Sequence, residues 1–315
     1  MNILLASIIG FLFTNIFIYI MLPFLRSSLV DFPNNRSSHS NPTPSGAGIS
    51  FVIISLILSP FLKTNLVYIC LPLALLGFLD DKYAIPSNIR YFSQLVTGSI
   101  LIIFCPNFNY LNDLIPSIAI LVFILLLISV TAFINFTNFM DGLDGLVSGS
   151  MIVILFFACI INNLNLFPVV SCLMAFILWN WQPAKIFMGD SGSTFLGALY
   201  CGIILQSSSL NQAIAVVFIG TPLWADAFTC VIRRALTRQK VFSAHRLHLY
   251  QRLNRGGWSH KLISSIYMTI SFFLAFIYLI LGLNYLIMAS FAVFFFGIFL
   301  DLKFASPFET RKSLK

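Results

Sequence analysis

The chain has 315 residues, of which 59% are hydrophobic and only 9% charged, and its mean hydropathy is +0.95. Soluble domains carry about 25% charged residues, so this composition excludes a soluble enzyme. The net charge of +8 is better explained by orientation in a membrane than by nucleic-acid binding. The sequence therefore predicts an integral protein of the lipid bilayer, with no nucleic-acid partner.

Eleven apolar runs follow one another along the chain, and each predicts a membrane-spanning helix of about 20 residues or somewhat fewer. The runs cover residues 3–22, 48–62, 66–79, 91–105, 116–134, 146–161, 166–181, 193–206, 213–228, 262–282 and 285–300. A tight hairpin at Lys63, Thr64 and Asn65 separates the second and third runs. With no visible domain boundary, we expect an all-α polytopic membrane protein, one domain over residues 1–315 with 10–11 transmembrane helices.

The charged residues divide unequally between the two membrane faces if each span reverses the side. Of the 18 Lys and Arg residues, all except Lys63 then share one face, which the positive-inside rule makes cytoplasmic. The N-terminus is then outside and the C-terminus cytoplasmic. The same parity places every acidic residue except Asp113, and all four histidines, on the cytoplasmic face. We therefore expect the chemistry to occur there.

Carboxylates occur in three groups at the ends of predicted spans: Asp80 and Asp81, Asp141 and Asp144, and Asp190. Adjacent carboxylates at a membrane boundary repel each other and are costly to desolvate, which favours a shared cation or proton. Solvated helix-end charges explain Asp80 and Asp81 equally well when these are taken alone. Three groups on one side favour function, and hard oxygen ligands suit Mg²⁺, with Mn²⁺ as a substitute.

The segment from Asn135 to Gly145 carries Asn135, Asn138 and Asp141 at a spacing of three, which predicts one face at a helix end. Glycines there would let backbone N–H groups approach a ligand closely. An Asn/Asp/Gly-rich helix terminus that only caps and turns is the alternative, and it is favoured if this segment is taken alone. The sequence GDSGS around Asp190 has the same two interpretations.

The longest polar segment, residues 233–261, is rich in basic residues and contains HRLHLYQRLNR. We expect His245, His248 and Arg252 to share one helical face and to bind a pyrophosphate. Contact with anionic lipid headgroups is the alternative, and it is the better one for four of the basic residues, namely Arg233, Arg234, Arg238 and Lys240.

The first cytoplasmic loop, DFPNNRSSHSNPTPSGAGIS, is predicted to be extended and rich in turns because of its prolines. It offers Arg36 and His39 to an anion. Both could equally be surface charges.

Taken in order, these motifs resemble the polyprenyl-phosphate N-acetylhexosamine-1-phosphate transferases, a family that includes phospho-MurNAc-pentapeptide translocase. The resemblance runs from Asp31 to about Leu253 and rests on DFPNNRSSH, TPSGAG, FLDD, NFTNFMDGLDGL, PAKIFMGDSGS and the basic histidine segment. The form HRLHLYQRL is most similar to the branch that initiates O-antigen. Two departures are that Leu249, Tyr250 and Gln251 follow His248 where many members have further histidines, and that Ala47 separates two glycines.

The resemblance implies transfer of a sugar-1-phosphate from a UDP-N-acetylhexosamine to undecaprenyl phosphate, with release of UMP, at the cytoplasmic side of the bacterial inner membrane. It implies that Asp190 binds Mg²⁺ and that Asp80 and Asp81 position the metal or activate the lipid phosphate. The nucleotide pocket is implied to be lined by Asn135, Asn138, Asp141 and Asp144. The sugar and the oligomeric state, including a homodimer, stay open.

Three other functions fit the sequence less well. A CDP-alcohol phosphotransferase needs an Ala-Arg that DGLDGL lacks, and a prenyl-diphosphate transferase needs an acid where position 84 is Ala. A transporter or flippase of lipid-linked or anionic substrates would place charged residues in the middle of its spans, whereas here the acids lie at span ends.

Overall fold

The computed structural model describes residues 2–33, 38–240 and 245–308. In these ranges the fold is helical apart from an antiparallel pair of two-residue strands, β1 (Val30–Asp31) and β2 (Thr43–Pro44). The first half contains helices α1 (Ile3–Ser28), α2 (Ile49–Leu58), α3 (Leu66–Tyr83), α4 (Ser87–Ile103), α5 (Pro106–Leu114), α6 (Pro116–Met140) and α7 (Leu146–Asn162). The second half contains α8 (Phe167–Asn180), α9 (Gly189–Leu205), α10 (Leu210–Ile219), α11 (Thr221–Leu236), α12 (Leu249–Arg255), α13 (His260–Leu281) and α14 (Leu283–Lys303).

Each of the eleven predicted apolar runs forms helix. The second run is α2 continued by a 3-10 turn (Ser59–Phe61), and the predicted hairpin joins it to α3. Helix α3 extends beyond the predicted end of its run at residue 79, so Asp80 and Asp81 lie in its last turn. The short helices α5 and α12 are not among the predicted runs.

The structure confirms an all-α polytopic membrane protein. Helices α1, α6, α13 and α14 are each long and apolar enough to cross a bilayer. Helices α7 and α8, and α2 with its 3-10 turn, are apolar but shorter. The count of 10–11 spans and the sides of the two termini stay predictions.

The predicted span over residues 213–228 consists of two helices and not one, because α10 and α11 meet at Gly220 with a bend of 75°. Pro222 lies in the first turn of α11. Proline has no N–H to donate, and its ring clashes with the carbonyl of the preceding turn, so a helix does not continue straight through it.

Helix α9 lies at the centre of the molecule and packs against both α3 and α6. A Cβ placed on Gly77 of α3 would be 2.5 Å from the carbonyl carbon of Asp190, so the two backbones touch at this point. A Cβ placed on Gly197 of α9 would be 2.8 Å from the Cα of Ile134 in α6. Small residues allow such close approach of membrane helices. This packing brings the end of α3 next to the start of α9.

Candidate active site

A cavity of about 480 Å³ lies where α3 and α6 end and α9 begins. Its size is typical of small-molecule sites. The polar residues that line it are Asp31, Ser38, His39, Ser45, Asp81, Asn138, Asp141, Asp144, Asn180, Asp190, Gln251 and His260. The three predicted groups of carboxylates therefore meet at one cavity.

Asp81 and Asp190 are joined through the backbone at the start of α9. The N–H of Asp190 donates to Asp81 Oδ1 at 2.9 Å. Asp81 Oδ2 is buried and accepts no hydrogen bond from any residue that the structure describes. Gly189, at φ +69°, makes this contact possible, because a Cβ there would be 2.3 Å from Asp81 Oδ2. One carboxylate oxygen is thus held while the other is left for a ligand.

Arg90 on α4 links the carboxylate of Asp80 to that of Asp190. Its Nη1 donates to Asp80 Oδ2 at 2.8 Å and to Asp190 Oδ2 at 3.3 Å. The second oxygen of Asp80 accepts from Ile85 N at 2.6 Å. Asp80 therefore bonds to protein donors through both oxygens and, unlike Asp81, is not among the described residues that line the cavity. Sequence reasoning missed Arg90, since a single arginine at a helix start resembles any cytoplasmic basic residue.

Three of the carboxyl groups beyond the ends of the predicted spans have raised pKa values. Burial raises the pKa of Asp81 to about 8, with a further contribution from the charge of Asp190. Burial likewise raises the pKa of Asp141 to about 7, helped by Asp190 and Asp144. The pKa of Asp190 is raised as well, first by burial and then by Asp80. Buried carboxylates that share one site repel each other, so this set of oxygens suits a hard divalent cation.

Asn138 and Asn135 lie on the same face of α6 but have different partners. Asn138 Nδ2 donates to Asp190 Oδ1 at 2.7 Å and to Ser193 Oγ at 3.0 Å. Asn135 exchanges amide hydrogen bonds with Gln94 of α4. It lines a neighbouring cavity of about 160 Å³, to which Asn138, Arg90 and Asp190 also contribute. Asn138 thus orients Asp190, which lines both cavities, whereas Asn135 lines the smaller one.

Asp144 also lines the main cavity, and both of its carboxylate oxygens have partners. Its Oδ1 lies 3.2 Å from Nδ1 of His260, the first residue of α13, and its Oδ2 accepts from Ala184 N at 3.1 Å. The sequence gives His260 no particular signal beyond its cytoplasmic side. It is nevertheless the histidine that contacts one of the predicted site acids.

The first loop lines the cavity and is hydrogen-bonded to the segment that precedes α9. Phe187 N donates to Pro44 O at 2.7 Å, and Ala47 N donates to Phe187 O at 3.1 Å. The ring of His39 packs edge-on against Phe187, with centroids 4.9 Å apart. His39 therefore lines the cavity, its contact with an anion stays a prediction, and Arg36 lies outside the described residues.

The basic histidine segment differs from its prediction. Helix α12 begins only at Leu249, with His248 as its N-cap, so His245, His248 and Arg252 do not share a helical face. The reason is Asp226 of α11, whose Oδ1 accepts from Leu249 N at 2.6 Å and fixes the start of the helix.

The surroundings of these three residues also differ from those expected at a pyrophosphate site. Arg252 is buried and bonds to Asp301 and to Ser306 O. Burial, with His248 next to it, lowers the pKa of His245 to about 3. Among the described residues of this segment, Gln251 lines the cavity, and His245, His248 and Arg252 do not.

The sequence of this chain is similar to those of several known transferases. The model of glycosyl transferase family 4 matches residues 64–208. A probable undecaprenyl-phosphate N-acetylglucosaminyl 1-phosphate transferase of Bacillus subtilis (strain 168) is 25% identical over 88% of this chain and 84% of its own length. A phospho-N-acetylmuramoyl-pentapeptide-transferase of the same strain is 29% identical over 82% and 90%. An undecaprenyl-phosphate alpha-N-acetylglucosaminyl 1-phosphate transferase of Thermotoga maritima is 27% identical over 76% and 78%.

The part of the chain matched by the family model contains the carboxylate groups, Arg90 and Asn138. It does not contain His39, His260 or Gln251, which line the cavity from the flanking segments.

Proposed function

We propose an activity for this chain on the premise that it belongs to glycosyl transferase family 4, the polyprenyl-phosphate N-acetylhexosamine-1-phosphate transferases that its motifs resemble. Its general reaction is transfer of a sugar-1-phosphate to a polyprenyl phosphate. The donor is a UDP-N-acetylhexosamine, the acceptor is undecaprenyl phosphate and the by-product is UMP. The observation that carries this proposal is the meeting of Asp81, Asp141 and Asp190 at one cavity beside membrane helices.

The reaction exchanges one phosphoric anhydride for another. An oxygen of the lipid phosphate attacks the β-phosphorus of the UDP-sugar, a new P–O bond forms, and the bond from the β-phosphorus to the oxygen of UMP breaks. Such transfers depend mainly on positioning and charge stabilisation. A lipid phosphate near pH 7 is already ionised, so a general base is not required.

The residues at the cavity fit a divalent cation. Asp81 offers a buried oxygen that is not engaged by any donor in the described ranges, and Asp190 lies at the same wall. We assign Asp81 and Asp190 as the ligands of Mg²⁺, for which Mn²⁺ can substitute, with Asp141 beside them. The cation would neutralise charge on the diphosphate.

Asp80 and Asn138 position the ligands. Asp80 keeps Arg90 next to Asp190, and Asn138 fixes the rotation of the Asp190 carboxylate. Polar groups around Asp144 and His260 offer contacts to the nucleotide part of the donor, and His39 offers one to an anionic group. Arg90 lies between the two cavities and can neutralise phosphate charge from the side of the smaller one.

The cellular setting follows from the same resemblance. We place the cavity at the cytoplasmic face of the bacterial inner membrane, and we propose that the product starts an O-antigen-like surface glycan. A homodimer is compatible with this proposal but not needed for it.

Mass spectrometry on purified protein tests the donor class. The protein in detergent is incubated with undecaprenyl phosphate, Mg²⁺ and, separately, UDP-GlcNAc, its 6-deoxy analogues or UDP-MurNAc-pentapeptide. We expect UMP and an undecaprenyl-diphosphate-sugar with one of the simple N-acetylhexosamine donors. Turnover with the pentapeptide donor alone would contradict the proposed donor class. Movement of a lipid-linked substrate across proteoliposomes without UMP release would favour the transporter.

A further inference from the structure

Cys230, His245 and His248 form a cluster away from the acidic cavity. Each can offer one metal-ligand atom, and these three atoms all lie within 4.8 Å of one another. Cys230 comes from α11, whereas the histidines come from the segment that leads into α12. The two imidazole rings are stacked, with centroids 4.9 Å apart. The cluster therefore connects α11 to the segment that precedes α12.

His248 supplies a second observation that points to a ligand. Its side chain is only 3% exposed, yet Nδ1 makes no hydrogen bond with any group in the described part of the chain. The distance from Nδ1 to Asp226 Oδ1 is 3.7 Å, which is too long for a hydrogen bond. Asp226 instead accepts from Leu249 N, Tyr250 N and the hydroxyl of Tyr267. A buried nitrogen without a partner destabilises the folded protein, and a bound ligand would remove that cost.

From these observations we infer that Cys230, His245 and His248 form a Zn²⁺ site. Two imidazole nitrogens and one thiolate are ligands that zinc prefers, whereas Mg²⁺ prefers oxygen. Cys230 is buried and reduced, and its thiol releases a proton to solvent when the Zn–S bond forms. Bond lengths of about 2.0–2.3 Å require the three ligand atoms to move closer together by roughly 1 Å. Three protein ligands leave a fourth position for water.

The charged groups around the cluster have opposite effects on the binding of a cation. The carboxylate of Asp226 faces His248 and favours a cation, whereas the guanidinium of Arg234 lies near His245 and opposes it. On binding, the thiol of Cys230 becomes an anion, which reduces the net charge of the bound site to +1. The thiolate is therefore the ligand on which the affinity depends most.

A bound Zn²⁺ would tie α11 to the start of α12. Gln251 lies in the first turn of α12, accepts a hydrogen bond from His248 N and also lines the acidic cavity. Zinc would thus fix the position of one wall of that cavity without occupying it. The inference concerns metal binding and does not depend on the proposed reaction.

The test uses the full chain purified without a histidine tag and freed of metal. Zn²⁺ affinity is measured by competition with a fluorescent chelator, and Co²⁺ is added separately to look for a thiolate-to-cobalt charge-transfer band. We expect one Zn²⁺ per chain and a cobalt band in the unaltered protein. Cys230→Ala should remove the band and weaken Zn²⁺ binding by more than tenfold, because losing even an outer partner of a metal site costs about 10–100-fold.

Two further variants keep the test decisive. Cys159→Ala changes another buried cysteine on α7 and should leave both signals unchanged. His245→Ala changes a ligand that is only partly buried, so it should fold normally and still lose affinity. Zn²⁺ binding that is equal in the unaltered protein and in Cys230→Ala, or a cobalt band that depends on Cys159, would overturn the inference.

Discussion

The backbone N–H of Asp190 donates a 2.9 Å hydrogen bond to Asp81 Oδ1, which leaves Asp81 Oδ2 buried and without a partner within the described ranges. Two helices that are distant in sequence, α3 and α9, thereby present one carboxylate each to the same cavity. The contact depends on two glycines: a Cβ on Gly77 would meet the backbone of Asp190, and a Cβ on Gly189 would meet the carboxylate of Asp81.

Binding of Mg²⁺ should stabilise the protein against heat. A ligand that binds only the folded state stabilises it by about 2.7 kcal/mol at a concentration of 100 Kd. We expect Mg²⁺ to raise the Tm of the unaltered protein, and Asp81→Asn or Asp190→Asn to abolish the shift. Asp113→Asn, at an exposed acid of α5, is the control and should keep it. An equal shift in all four proteins would show that the metal binds elsewhere.

Arg90→Ala should lower kcat by about 100-fold, because Asp80 and Asp190 would lose the guanidinium that lies between them and the phosphate would lose a cationic partner. Arg90→Lys should recover part of the loss, since it keeps the charge but not the two-sided contact. The matched control is Arg238→Ala at an exposed arginine. Steady-state assays on the three variants decide the matter, and normal activity in Arg90→Ala would refute the role.

Gly189→Ala should reduce activity by more than Gly257→Ala does. Both glycines have positive φ, +69° and +98°, so alanine costs about 1–2 kcal/mol of strain at either position. Only at Gly189 would the new Cβ meet Asp81 Oδ2, at 2.3 Å, whereas at Gly257 no described atom lies within 4 Å. Equal losses of activity in the two variants, at comparable yields of folded protein, would mean that strain alone explains the effect.

The predicted topology can be checked with single cysteines at exposed positions. A membrane-impermeant maleimide added from the periplasmic side should label Asp113→Cys and Lys63→Cys but not Lys261→Cys. The six native cysteines are buried and should give a low background. Labelling of position 261 from outside intact cells would reverse the assigned orientation.

The helices and the convergence of the acids could be predicted from the sequence because both depend on local patterns. An apolar run needs a helix to satisfy its backbone in lipid, and parity of the spans places their polar ends on one side. The bend at Gly220 was missed because hydropathy averages over Pro222, although the proline itself was visible.

The role of Arg90 and the placement of the histidine segment could not be predicted, because both depend on tertiary contacts. Arg90 makes its contacts with the two carboxylates only because α3, α4 and α9 pack together. The spacing of His245 and His248 suggests that both lie in one helix. Asp226, which belongs to another helix, accepts a hydrogen bond from Leu249 N, so that α12 begins only after His248. The fold places His260 at the site, and no sequence motif indicates this position.

The most direct test of the central claim follows the β-phosphorus of the donor. UDP-N-acetylhexosamine with a radiolabel at that atom is incubated with undecaprenyl phosphate and Mg²⁺, using the unaltered protein and Asp190→Asn, and lipid and water-soluble products are separated. Sugar-1-phosphate transfer predicts that the label enters the lipid fraction together with the sugar, that unlabelled UMP is released, and that Asp190→Asn gives neither product. If the sugar entered the lipid while the label stayed in the aqueous UDP, the reaction would be a simple glycosyl transfer and the account would be contradicted.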